Sequence, residues 1–78
     1  MKRLGYFLHR TPSGRLLVKL SSPKPPRLGS KVVNSRSEVV GVVVDVIGPV
    51  KAPYAIVKPS KQGLELSKYE ELFVRWSS

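Results

Sequence analysis

Hydrophobic positions in this chain recur with a period of two, and no stretch sustains the 3.6-residue period of an amphipathic helix. From Arg3 to Arg10, Leu4, Tyr6 and Leu8 alternate with Gly5, Phe7 and His9. Both sets are partly apolar, so either can face a core. Thr11-Pro12-Ser13-Gly14 follows as a compact turn signal, because proline fixes φ and glycine permits φ > 0. A second run, residues 15–20, places Leu16, Val18 and Leu20 on one face. Two β runs joined by such a turn predict a hairpin. Residues 21–30 hold three prolines, which cannot donate to a ladder, so this segment reads as a loop.

Residues 31–33 form a short third run, and Asn34 to Ser37 a turn. Residues 38–47, EVVGVVVDVI, are the most β-prone part of the chain, since β-branched side chains fit a pleated surface. Strict alternation puts Val40, Val42, Val44 and Val46 on one uniformly apolar face, which is the expected core face. Gly41 lies on the other, where it suggests a bulge or a close backbone approach. A proline-bounded turn at 48–53 leads into a strand at 54–58, with Tyr54 and Ile56 opposite Ala55 and Val57. Residues 59–71 read as loop, with a short strand at Leu64–Leu66. Residues 72–76 make a last strand, with Leu72, Val74 and Trp76 on one face. The prediction is all-β: one domain over residues 1–78, folded as a small six-stranded, closed or nearly closed β-barrel. Closure also removes the pairing hazard of Val-rich strand edges.

Composition narrows what such a barrel can do. A chain of 78 residues is too short for a core plus a deep cleft. It has no cysteine, which excludes a disulfide framework and a thiolate metal site, and one histidine, which excludes a histidine cluster. LGYFL is too short for a signal-peptide core. The longest apolar stretch, VVGVVVDVIGPV, is broken by Asp45 and falls short of the ~20 residues of a membrane span. A soluble intracellular protein without a membrane partner is expected. The net charge is +9, and the nine basic residues within positions 1–36 face no acidic residue there. That asymmetry suits a protein working beside a polyanion.

Catalytic constellations are missing. Glu38, Asp45, Glu65, Glu70 and Glu71 include no pair spaced for general acid–base work on one strand face. His9 is the one candidate base, and no nucleophile can be tied to it; it reads as a surface residue. No phosphate-binding glycine motif occurs. The chain reads as a non-enzyme, with no cofactor, no metal and no small-molecule substrate.

One block is specific. Gly41 to Tyr54, GVVVDVIGPVKAPY, followed by Val57-Lys58-Pro59, resembles the Gar family. Members are the small β-barrel subunits of H/ACA ribonucleoproteins, which convert uridine to pseudouridine under RNA guidance. The start, MKRLG with Leu8-His9, and the run Leu28-Gly29-Ser30-Lys31-Val32-Val33 also fit. The resemblance covers roughly residues 2–59, and residues 60–78 match loosely. Glycine- and arginine-rich tails, found in eukaryotic members, are not in this sequence, which points to the archaeal form. The resemblance implies an accessory subunit docked on the catalytic domain of the pseudouridine synthase. It would modulate substrate RNA loading and release in rRNA processing and ribosome biogenesis. Guide RNA and substrate RNA would be met through the assembled particle. The setting would be cytoplasmic in an archaeon and nucleolar in a eukaryote.

The expected docking surface is Asp45, Ile47, Gly48, Pro49, Val50, Lys51, Pro53 and Tyr54. The turn is mostly apolar, although turns normally face water, and exposed apolar patches mark interfaces. Pro49 and Pro53 stiffen it, and Tyr54 has the chemistry of an interface hot spot. Ile47, Val50 and Tyr54 could instead fold back and plug one barrel end. Asp45 has two readings as well: a pair with a basic residue of the partner, or a cap or salt bridge within the barrel. Lys2, Arg3, Arg10, Arg15, Lys24 and Arg27 are the candidates for lying near RNA. The alternative function is an autonomous RNA-binding barrel of the OB, Sm or ribosomal-protein type, for which stacking aromatics on one face would be expected.

Overall fold

A computed structural model describes residues 2–61 and 63–75. Six strands form: β1 (Lys2–Arg10), β2 (Leu16–Leu20), β3 (Lys31–Val33), β4 (Val39–Ile47), β5 (Tyr54–Pro59) and β6 (Glu71–Arg75). All pairings are antiparallel, and the ladder closes in the order β1-β2-β5-β4-β3-β6. The all-β, six-stranded barrel expected from the alternation is therefore the fold. Trp76, expected in the last strand, lies outside the described residues. The short strand expected at Leu64–Leu66 does not form. Both leucines sit in a loop and pack instead against the core from outside the ladder.

The core is aliphatic. Leu16, Val18, Val32, Val40, Val43, Val57 and Leu72 are fully buried, with Leu4, Leu20, Ala55 and Phe7 beside them. On β2 the inward set is the one that alternation gives. On β1 both faces contribute, because two irregularities shift the phase. Against β6, Arg3 pairs with Phe73 and Gly5 with Leu72, leaving Leu4 as the extra residue. Against β2, Phe7 pairs with Val18 and His9 with Leu17, leaving Leu8.

The same device corrects the expected face of β4. Against β3, Val32 pairs with Gly41 and Val33 with Val39, so Val40 is the extra residue. Against β5, Val43 pairs with Val57 and Asp45 with Ile56, so Val44 is. Each bulge adds one residue to a period-two pattern and flips the next stretch of strand to the other face. The inward residues are Val40, Val43 and, packed against the core, Val46. Val42 and Val44 are only half-buried. Bulges also bend the strand, which a barrel this narrow requires.

Gly41 sits where β4 and β5 nearly touch. A Cβ there would lie 2.2 Å from the Lys58 carbonyl oxygen and 2.8 Å from Val57 Cγ1. The β3–β4 turn is held by Asn34, the buried polar side chain of the described residues. Its Oδ1 accepts from the backbone N–H of Arg36 (2.9 Å) and Glu38 (3.0 Å), and its Nδ2 donates to Glu38 Oε1 (3.0 Å). That hydrogen bond, aided by the charge of Arg36, holds the Glu38 carboxyl below its ordinary range.

The close approach and the turn can each be tested. Gly41→Ala should destabilise the barrel by about 1–3 kcal/mol through overpacking against backbone. Urea unfolding checks it, and a change under ~0.5 kcal/mol, the scale of a surface substitution, would mean that the strands separate freely there. Because the folded Glu38 carboxyl titrates low, its contribution is complete above about pH 4.3 and is lost as pH falls through the folded value. Glu38→Gln should therefore lose less stability on acidification than the wild type; equal losses would remove this electrostatic role from the turn.

Candidate functional site

Turn residues 48–53 close the β4–β5 hairpin, and the ladder fixes where they point. Ile47 pairs with Tyr54 at the mouth of the hairpin. Gly48 takes φ +95°, and a Cβ on it would lie 2.9 Å from the Tyr54 ring. The chain then turns tightly, with the Ala52 N–H donating to the Pro49 carbonyl at 3.1 Å. This geometry throws Val50 outward, where it is 88% exposed, and leaves Ile47 44% exposed. Gly48, Pro49 and Lys51 are exposed too.

The base of the turn is anchored to β2. Leu20 N–H donates to the Pro53 carbonyl (3.2 Å), and Lys19 Nζ donates to the Ala52 carbonyl (3.4 Å). The Lys19 ammonium also sits 4.5 Å from the centroid of the Tyr54 ring, a cation–π distance. Pro53 is buried and Tyr54 half-buried. The expected set therefore divides: Ile47, Gly48, Pro49, Val50 and Lys51 form an exposed tip, while Pro53 and Tyr54 support it. Asp45 is exposed, and its Oδ1 accepts from the Val46 N–H at 2.8 Å. It lies within β4 and caps no turn, and no ion pair within the barrel engages it among the described residues.

The six cations singled out from the N-terminal half do not form one patch. Lys2 and Arg27 line a hollow with Arg75 and with Pro25 and Pro26. Arg3 is paired with Glu71 at 3.1 Å. Lys24 is exposed on the proline-rich loop. Arg10 and Arg15 line a cleft of about 500 Å³ together with Lys58 and Lys61. Sequence reasoning missed the last two, because they come from the end of β5 and the segment just after it, more than forty residues away. The register that makes them neighbours is Leu16 opposite Val57. The only signal in the sequence was the Lys58-Pro59-Ser60-Lys61 spacing.

Among the described residues the aromatic rings do not build a stacking face. Phe7 is in the core, Tyr54 stands beside Lys19, and Tyr6 meets the exposed Tyr69 edge-on with centroids 5.7 Å apart. His9 is exposed, its Nδ1 2.9 Å from the Arg10 carbonyl. Among the described residues no group of three or more His, Cys, Asp or Glu is placed to hold a metal ion, and no helix is long and apolar enough to cross a membrane.

The sequence pattern of one family, described as the Gar1/Naf1 RNA-binding region, matches residues 1–75. An uncharacterized protein of Methanothermobacter thermautotrophicus is 36% identical over 61 residues, which cover 78% of this chain and 64% of that protein. An uncharacterized protein of Methanocaldococcus jannaschii is 35% identical over 61 residues, covering 78% of this chain and 72% of that one. The H/ACA ribonucleoprotein complex subunit GAR1 of Chaetomium globosum is 27% identical over 67 residues, covering 86% of this chain. The match spans only 31% of the length of that fungal protein.

Proposed function

The chain belongs to the Gar1/Naf1 RNA-binding family, and from that premise we propose that it is the non-catalytic barrel subunit of an H/ACA ribonucleoprotein, docked on the catalytic domain of the pseudouridine synthase. The fungal relative is named as a subunit of such a complex. The observation that carries the docking reading is the tip. Val50 and Ile47 are held out in solvent on a proline-stiffened turn instead of being tucked into the barrel end. Exposed aliphatic side chains on a rigid support are what a partner's apolar surface covers, with little ordering cost on binding.

The chemistry stays with the partner. The contribution of this chain would be mechanical. By gripping the catalytic domain it would modulate how substrate RNA loads and leaves, and so act in rRNA processing and ribosome biogenesis. In an archaeon this work would take place in the cytoplasm.

The test is direct. A chain carrying Ile47→Asp and Val50→Asp should bind a purified archaeal pseudouridine synthase subunit more weakly by about 2 kcal/mol or more, roughly thirtyfold in Kd. Both side chains are exposed, so urea unfolding should show the barrel itself intact. Undiminished synthase binding by a folded double variant would overturn the assignment of the tip.

A further inference from the structure

The strand that carries the docking tip at its start carries a cluster of cations at its other end. Antiparallel pairing sets Leu16 of β2 against Val57 of β5, and Lys19 against Tyr54. The β1–β2 turn and the segment after β5 therefore meet at the barrel end away from the tip, about 17 Å along the strand. Between them lies the cleft of about 500 Å³. Arg10 reaches it from the end of β1, Arg15 from the start of β2, Lys58 from β5 and Lys61 from beyond it.

We propose that this cleft binds the phosphate backbone of RNA. Three observations carry it. First, its described lining includes four cations and no acidic residue. The ion pairs among the described residues engage Arg3 and Arg36, neither of which lines it. Asp45 shares a neighbouring hollow with Arg15 and Lys58, but stays beyond ion-pair distance of both. Second, the Arg15 guanidinium is part-buried, and its Nη1 has neither solvent nor a hydrogen-bond partner. A donor left unpaired in this way costs free energy in the free protein, and an anion at the cleft favours holding the guanidinium there. Third, the cleft offers no hot-spot chemistry for a protein. Its other described walls are Ser13, Ser60, Pro59 and two glycines, without an aromatic or aliphatic anchor.

The ligand chemistry comes from the same walls. Point charges and hydroxyls suit phosphate oxygens, and a lining without rings cannot stack bases. Binding should be indifferent to sequence and steeply dependent on salt. The family description supplies RNA as the polyanion. This inference goes beyond docking and does not rest on it, because the described lining of the cleft comes from this chain alone.

The test uses the full chain and a fluorescently labelled 20-nucleotide single-stranded RNA of mixed sequence, read by anisotropy. Lys58→Gln with Lys61→Gln should weaken binding about tenfold and lower the log–log salt slope by roughly 1.4, the value for two lost phosphate contacts. Lys2→Gln with Lys24→Gln removes the same charge elsewhere and should change affinity less than twofold. Uridine and adenosine homopolymers should bind alike. Equal weakening by the two double variants would reduce the effect to net charge and overturn the site. So would unchanged RNA binding in the first variant, and if that variant instead lost the synthase, the cleft would be a protein contact. Loss of synthase binding by the tip variant with RNA binding intact supports two separate sites.

Discussion

A narrow interior filled by valine and leucine is what the rest of this molecule depends on. Leu16, Val18, Val32, Val40, Val43, Val57 and Leu72 are sealed from water, and they come from five of the six strands. No strand of three to nine residues is stable alone; each is held because its inward side chains fill space left by the others. Small branched side chains let opposite walls approach closely, and that closeness dictates the bulges. Strand β4 must bend twice within nine residues to stay on so tight a surface. Among the described residues the interior is filled by these side chains, and the exposed apolar and basic groups lie on the outside and at the rims.

Much of this was readable in the sequence, and the failures have physical causes. The strand bounds of β2, β3, β4 and β5 come from alternation and turn chemistry to within a residue. The barrel comes from the count of such runs. The face of β4 was hidden, because a bulge leaves no mark in a valine-rich run: Val42, Val43 and Val44 are chemically the same, and only pairing distinguishes them. Gly41 was the visible trace, and it does mark the close approach to Lys58. Leu64 and Leu66 looked like a strand because they alternate, yet a loop can alternate as well when it lies along a hydrophobic wall.

The outer surface was legible unevenly, for a related reason. The apolar turn is contiguous in sequence, so its character was plain, and what the fold adds is the division between an exposed Ile47–Lys51 tip and the supporting Pro53 and Tyr54. Which cations are neighbours was not legible, because closeness in sequence is a poor guide to closeness on a closed ladder. Arg10 and Arg15 belong with Lys58 and Lys61, whereas Lys2 and Arg27 belong with Arg75. Arg3 is largely spoken for by Glu71. An excess of nine positive charges is thus dealt out to separate rims, not pooled on one side.

The ring of strands has a last consequence. Strand β6 bonds β1 on one flank and β3 on the other, so the ladder has no terminal strand. A visiting peptide finds no free end strand beside which to enlist as a seventh. Recognition is left to protruding side chains and connecting turns. Those turns can be rewritten to suit a new assembly while the staves of the cask stay as they are.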